Sequence, residues 1–267
     1  MTNKNEHVQI IGTVGPHSGS VEMLGAMVDA GLNILRSNMS HGTHEQHAQY
    51  IRNIREVATA RGVRIPVILD FSGPRETTDD GHQFDTDKEI LTAKDLADLD
   101  FAIEQGVEYV AQSYVGTAAD VELLKSHIAS RGASIPVIAK IERALAVNNL
   151  EGIVAVADAV MVARGDLGLA EPIEEIPYIQ RRIIECTKAA GKPVITATQM
   201  LFSMVDSPIP TRAEVTDVAF AVMCGTDIVM LSDETAKGTY PVESVAAMHK
   251  IVARAEKEVP ALVHDSL

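Results

Sequence analysis

The 267-residue sequence lacks tryptophan, and aromatic residues make up only 4% of it. Cysteine is almost as rare, with two residues, Cys186 and Cys224. They lie far apart in the chain, each in an apolar stretch with a helical pattern. This pattern predicts buried thiols in a reducing compartment, and it argues against a disulfide or a zinc site.

Positive charge is also scarce. Lysine and arginine number 23 against 37 aspartates and glutamates, which gives a net charge of −14 and an isoelectric point of about 5.0. No run of basic residues offsets this balance, so we expect no nucleic-acid partner. The same negative charge would repel a polyanionic substrate unless a metal ion or local cations screen it.

Long hydrophobic runs are missing as well. No apolar stretch approaches the roughly 18 to 20 residues that a membrane-spanning helix needs. The polar residues 1–6 contain no signal-peptide core. We therefore expect no membrane partner and a cytoplasmic protein.

What the sequence does contain is an alternation of short β-branched runs with longer helical patterns, one of them over Arg143–Val156. The length suits one α/β barrel or two small domains. Near-continuous apolar runs are typical of buried parallel strands, and eight successive βα units favour a single closed (β/α)₈ (TIM) barrel of the α/β class. The predicted strands are Val8–Val14, Leu32–Asn38, Pro66–Asp70, Val107–Gln112, Ile135–Ile141, Ala159–Ala163, Pro193–Ala197 and Thr226–Leu231.

Polar side chains follow the predicted strands where each one ends. Lys140 and Glu142 end the fifth strand on one face, because side chains alternate along a strand. Arg164 and Asp166 follow the sixth. Two carboxylates and an ammonium on neighbouring strand ends suit a divalent cation that holds an oxyanion, as in enolate or phosphoryl chemistry. The alternative for either run alone is a solvated strand end, but all eight strands deliver polar groups to one rim, which favours an active site.

Two further segments attract attention. The connection at residues 71–91 is about twenty residues long, and connections of this length in compact domains are lids, remnants of lids or disordered segments. His41, His44 and His47 recur every three residues and could form a metal cluster. A spacing of three drifts around a helix and the neighbours are polar, so a capping segment on a solvated face is favoured.

Longer motifs resemble those of the pyruvate kinase family over nearly the whole chain. The matching runs are Thr13-x-Gly-Pro16, Arg36-x-Asn-x-Ser-His-Gly42, Lys140-Ile-Glu142, Val160-Met-Val-Ala-Arg-Gly-Asp-Leu-Gly168, Gly191-Lys-Pro-Val-Ile195, Ala197-Thr-Gln-Met-Leu201, Pro210-Thr-Arg-Ala-Glu214 and Leu231-Ser-x-Glu-Thr-Ala236 with Tyr240-Pro241. The resemblance implies that residues 1–267 are the catalytic barrel domain of that family, with residues 71–91 as a short loop where the family carries a lid domain, and without the C-terminal domain.

The resemblance also implies roles for individual residues. The implied ligands of Mg²⁺ (or Mn²⁺) are Glu142 and Asp166, and the implied ligands of K⁺ are Asn38, Ser40, Asp70 and the carbonyl of Phe71. The implied catalytic residues are Lys140, Arg36, Thr198, Ser232 and Glu234. The implied substrate-binding residues are Gly165, Asp166, Thr198, Arg36, Ala163 and Arg164.

Departures from the family pattern cluster on the nucleotide side of the predicted site. Ser72 and Thr77 stand where the family has a lysine and an arginine, and Arg75 is two positions out of register. Lost cations remove charge-assisted phosphate contacts, each worth roughly 1.5–3 kcal/mol. A lost lid removes the exclusion of water from the phosphoryl group. The sequence therefore leaves the phosphoryl acceptor, and nucleotide binding, open.

Three functional hypotheses are consistent with these residues. The first is a Mg²⁺-dependent, K⁺-assisted enzyme that acts on phosphoenolpyruvate or pyruvate through an enolate, by phosphoryl transfer of the pyruvate kinase type. The second is a lyase of 2-oxoacids, such as an oxaloacetate decarboxylase or a pyruvate aldolase, which needs neither nucleotide nor lid. The third is a non-catalytic protein that binds a 2-oxoacid. The resemblance of the segment Pro210–Arg212 to a subunit contact of the family implies a homo-oligomer.

Overall fold

A computed structural model describes residues 4–5, 7–78, 81–85, 89–259 and 264–265 of the chain. Eight parallel strands close into a barrel in which each strand pairs with its neighbours in the sequence and the last pairs with the first. A two-stranded antiparallel ribbon joins Lys4–Asn5 to His264–Asp265. The barrel strands are β1 (Gln9–Val14), β2 (Ile34–Asn38), β3 (Val67–Asp70), β4 (Tyr109–Gln112), β5 (Val137–Ile141), β6 (Ala159–Ala163), β7 (Val194–Ala197) and β8 (Ile228–Leu231).

The structure confirms the predicted single (β/α)₈ barrel. Every strand ends at the predicted residue, and each starts at most two residues later than predicted. Three of the late starts share one cause, because the N–H groups of Leu32, Val107 and Thr226 close the preceding helix rather than a sheet ladder. Leu32 donates to Met27 O at 3.0 Å, and Val107 donates to Ala102 O at 3.2 Å.

Helices cover the outside of the barrel, as expected, with three differences. The helix predicted over Arg143–Val156 is two helices that meet at Asn149. Two short helices after β6 and β8 were not predicted. The helices are α1 (Val21–Asp29), α2 (His44–Arg61), α3 (Ala93–Gln105), α4 (Ala118–Ser130), α5 (Ala144–Asn148), α6 (Leu150–Val156), α7 (Arg164–Ala170), α8 (Ile176–Ala189), α9 (Arg212–Met223), α10 (Asp233–Ala236) and α11 (Pro241–Ala255).

Two apolar layers hold the barrel together. Alternate strand residues fill its interior, and the opposite faces of the strands pack against the helices. Full burial of each aliphatic side chain contributes roughly 1.5–3 kcal/mol. The interior is therefore a packed core below the polar rim, and not a channel. The interior residues are Ile11, Ile34, Ile68, Ala111, Ile138, Ala159, Met161, Ile195, Ala197, Ile228 and Met230.

The segment 71–91 is not simply a loop. It contains an antiparallel hairpin whose strands, Arg75–Thr78 and Gly81–Phe84, pair Arg75 with Phe84. Residues 79–80 and 86–88 of this segment lie outside the described residues. The hairpin comes directly after β3 and therefore stands at the carboxyl-terminal end of the barrel.

The three histidines before and within α2 do not form a metal cluster. Thr43 is the N-cap of the helix, with a capping box, as the capping interpretation predicts. His44 Nε2 lies 2.7 Å from Asp98 Oδ1. His47 is not on the solvated face that we expected: its Nδ1 lies 2.6 Å from the buried Ser37 hydroxyl. Burial of His47 lowers the pKa of its imidazole.

Within the part of the chain that the structure describes, no helix combines the length and the apolar character needed to cross a bilayer.

The residue that follows β1 packs closely against α10. A substitution there tests how much this close packing contributes to stability. A Cβ atom at Gly15 would collide with main-chain atoms of Ala236. We expect Gly15→Ala to destabilise the fold by about 1–3 kcal/mol, since the main chain must shift. Gly152→Ala is the matched control, because a Cβ atom there meets only the Ala118 methyl at 3.9 Å and helix propensity favours alanine. Thermal unfolding should show a lower Tm for the first variant alone; equal Tm values would contradict this packing.

Candidate active site

A cavity of about 640 Å³ opens at the carboxyl-terminal ends of the strands. It is the position at which (β/α)₈ barrels present their active sites. Most of the site residues predicted from the sequence line it, and they come from the strand ends or the turns after them. The predicted residues that line the cavity are Arg36, Asn38, Lys140, Glu142, Ala163, Gly165, Asp166, Thr198, Ser232 and Glu234.

Four predicted residues lie behind this lining. Asp70 is fully buried under the cavity floor, between two cations. The Phe71 carbonyl accepts a hydrogen bond from the Ser113 hydroxyl at 2.7 Å. Ser40 follows β2, and Arg164 turns its side chain away from the cavity toward Asp217. None of the four lines the cavity itself, and the side chains of Asp70 and Arg164 and the Phe71 carbonyl are already held by protein partners.

A chain of alternating buried charges forms the floor. The Arg36 guanidinium donates from Nε to Asp70 Oδ2 at 2.7 Å, and Lys140 Nζ lies 3.1 Å from Asp70 Oδ1. Lys140 Nζ also lies 2.9 Å from Glu142 Oε1 and donates to the Ser113 hydroxyl at 2.7 Å. Buried charges are stable only when they are paired. The pairing therefore connects the ends of β2, β3 and β5 and aims two cations at the cavity.

The charges shift one another's pKa. Burial disfavours the charged form of Lys140, but Asp70 and Glu142 outweigh it and raise the pKa of the ammonium. Burial likewise opposes the charged form of Asp70, yet Lys140 and Arg36 hold its pKa below the usual value. Glu142 differs, because burial and the negative charge of Asp166 raise its pKa in spite of Lys140. The two carboxylates are thus close enough to repel each other.

Tyr114 connects the two carboxylates. Its main-chain N–H donates to Glu142 Oε2 at 2.6 Å, and its hydroxyl lies 3.5 Å from Asp166 Oδ1. Burial, followed by the charges of Asp166 and Glu142, raises the pKa of this phenol well above its ordinary value. Among the described residues, no cluster of three or more acidic, histidine or cysteine side chains is arranged to hold a metal. Glu142 and Asp166 are therefore a pair of carboxylates and not part of a larger cluster of such side chains.

Backbone strain is concentrated around the cavity. Over the described residues, positive φ at non-glycine positions occurs at Tyr114 (55°), Thr198 (68°) and Gln199 (53°). This conformation is unfavourable for a β-branched residue such as threonine. Arg164 compensates, since its Nη2 donates to Thr198 O at 2.8 Å while its Nη1 pairs with Asp217 at 2.6 Å. Strain held by surrounding contacts is typical of functional sites.

The turn after β6 meets Thr198 directly. The Gly165 N–H donates to Thr198 Oγ1 at 2.7 Å, and that hydroxyl in turn donates to Ala197 O at 2.7 Å. Asp166 lines the cavity next to this turn. The N–H at the start of α7 is therefore satisfied by the protein itself, and a bound anion would take it over from Thr198.

Ser232 and Glu234, which follow β8, differ in the hydrogen bonds of their side chains. Glu234 is fully buried and uses both oxygens within the protein, accepting from the N–H groups of Leu201 at 3.1 Å and of Ser232 at 2.7 Å. Burial raises the pKa of Glu234. The Ser232 hydroxyl is buried and has no hydrogen-bond partner among the described residues. Ser232 thus offers a polar atom to the cavity, and Glu234 positions it.

Sequence inspection missed several residues of the site. Tyr50 of α2 lines the cavity, and so does Arg75 of the hairpin, for which the sequence indicated only a position out of register with the family pattern. Tyr114 was missed because its contact with Glu142 uses the main chain, which no residue pattern reveals. Its position next to Ser113 at the end of β4 is the signal that could have drawn attention to it.

Fold and site together define a class: (β/α)₈ barrels with buried cations and paired carboxylates at the mouth. Comparison with known proteins narrows this class. The model of the pyruvate kinase barrel domain matches residues 5–91 and 80–245. The chain is 38% identical to a pyruvate kinase of Bacillus licheniformis over 336 residues, which cover 93% of this chain and 57% of that protein. It is 36% identical to a pyruvate kinase of Thermococcus litoralis, over 93% of this chain and 70% of that protein. The chain belongs to the pyruvate kinase family.

The matched region differs in length between the relatives and this chain. The alignment with the Bacillus licheniformis protein is longer than this chain of 267 residues, so that relative carries additional residues inside the matched region. The chain spans a little over half the length of that relative and of the pyruvate kinase 2 of Synechocystis, 57% in each case.

The buried charge chain yields a stability prediction. Asp70→Asn leaves Arg36 and Lys140 without the carboxylate between them, so we expect a loss of about 3–5 kcal/mol, as when one partner of a buried pair is removed. Asp29→Asn is the matched control, because its pair with Arg61 lies on the surface, where such pairs contribute little. Urea unfolding measures both variants. Similar losses of unfolding free energy in the two variants would show that the buried Asp70 pairs stabilise the fold no more than a surface pair does.

Proposed function

We propose that this protein catalyses Mg²⁺-dependent, K⁺-assisted phosphoryl transfer of the pyruvate kinase type between phosphoenolpyruvate and an acceptor. The observation that carries the proposal is the arrangement around Lys140. Its ammonium is buried between Asp70 and Glu142, next to Arg36, and faces a cavity that also exposes Asp166. Family membership supports the same chemistry, because the relatives compared above are named pyruvate kinases.

The residues present suit a divalent cation. Glu142 and Asp166 supply carboxylate oxygens, the donors that Mg²⁺ and Mn²⁺ prefer. Burial and, after it, the negative charge of Asp166 raise the pKa of Glu142, and a cation shared between the two carboxylates would offset both effects. Glu142 Oε1 is buried, and Lys140 Nζ lies 2.9 Å from it as its ion-pair partner. When bound, the cation would supply Lewis acidity toward the carboxylate and enolate oxygens of the substrate.

Arg36 and Lys140 would hold the phosphoryl group. Both side chains are at least nine-tenths buried and both line the cavity. Asp70 keeps them in place from below, so they need little reorganisation when negative charge develops on the phosphoryl oxygens. Cations that are fixed in this way stabilise the transition state more than mobile ones in water do.

The other side of the cavity would hold the three-carbon acid. The substrate carboxylate would bind at Thr198 and the N–H of Gly165, which now contact each other. A backbone N–H that opens a helical turn favours an anion. Ser232, whose hydroxyl has no partner among the described residues, would face the enolate carbon and move the proton there. Glu234 would fix Ser232 through its N–H.

A monovalent cation fits beside this site. Asn38 and Asp70 end neighbouring strands and are register partners. The buried Ser40 hydroxyl makes no hydrogen bond within the described residues, and the Phe71 carbonyl follows Asp70. Neutral oxygens with one carboxylate suit K⁺. The cation would add positive charge near the phosphoryl group, in support of Arg36 and Lys140.

A 2-oxoacid lyase is the second candidate, and one position favours it. Ser72 is buried beside the cavity floor and its hydroxyl has no partner among the described residues. An uncharged residue at this point gives an incoming polyphosphate no cation. Decarboxylation of oxaloacetate or aldol cleavage would use the metal, Thr198 and Ser232 without a nucleotide. Binding of a 2-oxoacid without turnover is the third candidate.

Removal of either carboxylate tests the metal assignment. We expect Glu142→Gln and Asp166→Asn each to lower metal-dependent formation of pyruvate from phosphoenolpyruvate at least about 100-fold, since each removes a ligand that also positions the other. Glu151→Gln is the control, because Glu151 is exposed on α6 and pairs only loosely with Arg182. Full activity in both site variants would overturn the assignment of these ligands.

A direct comparison of substrates separates the three candidates. We expect pyruvate formation from phosphoenolpyruvate to require a phosphoryl acceptor, with ATP produced from ADP, and to exceed pyruvate release from oxaloacetate or 4-hydroxy-2-oxoacids. Rapid release from the latter without ATP formation would establish the lyase instead. Tight binding of oxalate without turnover of any substrate would establish the binding protein.

A further inference from the structure

The hairpin after β3 is fixed to the barrel by a row of stacked side chains. The Phe84 ring lies 5.5 Å from the Tyr114 ring, centroid to centroid. The Arg143 guanidinium lies 4.0 Å from the centroid of Phe84, and the Arg75 guanidinium lies 5.4 Å from that of Tyr114. Cations over aromatic faces attract the ring electrons. The row runs Arg75, Tyr114, Phe84, Arg143 and joins both ends of the hairpin to the turns after β4 and β5.

Gly116 makes room for this row. A Cβ atom at Gly116 would collide with the Arg143 guanidinium. The absence of a side chain there lets Arg143 reach over the turn after β4 to the Phe84 ring. The stack therefore needs three residues together: Gly116 in the turn after β4, Arg143 in the turn after β5, and the Phe84 ring of the hairpin.

Tyr114 is the member of this row that reaches the catalytic carboxylates. Its N–H is 2.6 Å from Glu142 Oε2, and its hydroxyl is 3.5 Å from Asp166 Oδ1. The backbone adopts a φ of 55°, which is uncommon for a bulky residue. Such a conformation persists only where surrounding contacts hold it. The Phe84 ring contacts the Tyr114 side chain and the Glu142 carboxylate holds its N–H, and together they supply those contacts.

We propose that Tyr114 is a positioning residue that sets the separation and orientation of Glu142 and Asp166, and that Phe84 of the hairpin acts on this pair through the Tyr114 ring. The main-chain N–H fixes Glu142, and the hydroxyl donates a hydrogen bond to Asp166. Outer contacts of this kind orient the ligands of a metal and raise its affinity. The inference rests on the proposed metal site and adds to it a link between the hairpin and the carboxylates.

Binding of Mn²⁺ alone, without substrate, provides the test. The concentration of free Mn²⁺ can be measured by electron paramagnetic resonance in the full chain. We expect Tyr114→Phe to weaken Mn²⁺ binding about 10-fold, within the range seen when an outer partner is removed. Thermal stability should change little, because the ring and its stacking remain. Tyr178→Phe is the matched control, since Tyr178 is 71% exposed on α8, and its Mn²⁺ affinity should equal that of the unchanged protein.

The role of the hairpin is tested by a double-mutant cycle. Phe84→Leu should weaken Mn²⁺ binding in the unchanged background and weaken it less in the Tyr114→Phe background, because the path through the Tyr114 hydroxyl to Asp166 is already lost there. Unchanged affinity in Tyr114→Phe, or additive losses in the cycle, would overturn the inference. A different result would contradict the proposed metal site itself. In that case Mn²⁺ would not bind the unchanged protein, or it would bind the Glu142→Gln variant as tightly as the unchanged protein.

Discussion

The mouth of the barrel depends on one ammonium group, Nζ of Lys140, which is shared by two buried carboxylates. Lys140 Nζ lies within 3.1 Å of Asp70 and 2.9 Å of Glu142 in a fully buried position. An unpaired charge there would be prohibitively costly, so each partner exists because of the others. Asp70 in turn holds Arg36, and Glu142 is held by the Tyr114 N–H. The residues that would do chemistry are thus also the ones that tie the strand ends together.

Strain and charge are complementary at the mouth of the barrel. The strand ends supply fixed charges, whereas the turns after β4 and β7 supply residues in left-handed conformations, Tyr114 and Thr198. Neither conformation would persist in an isolated turn. Arg164 holds the Thr198 carbonyl from behind, while Glu142 and the hairpin hold Tyr114. This is why Arg164, for which the family resemblance implies a substrate-binding role, turns its side chain away from the cavity toward Asp217.

Sequence reasoning was most accurate where a physical boundary is abrupt. An apolar run that gives way to charge marks the end of a buried strand, and all eight strand ends were predicted to the residue. It was weaker where structure depends on contacts distant in sequence. The short helix α7 contains Gly165 and Gly168, which local propensity disfavours, and Asn149 interrupts a helical pattern without any proline. The burial of His47 and the bridging role of Tyr114 depend on tertiary partners that no periodicity encodes.

The connection after β3 lies outside the barrel ladder, and this explains why the barrel can keep its fold with only a small hairpin there. The two matched segments of the family model overlap at residues 80–91, which include the second hairpin strand and lie outside the barrel ladder. Each of the eight strands is hydrogen-bonded to two neighbouring strands. The ladder therefore does not depend on the length of the connection after β3. The buried charges come from strand ends and the turns next to them, and the hairpin reaches them through Tyr114, whose N–H holds Glu142. A change of length in this connection would therefore alter access to the cavity and the contacts of Tyr114, while the pairs of Asp70 with Arg36 and Lys140 lie within the strand ends.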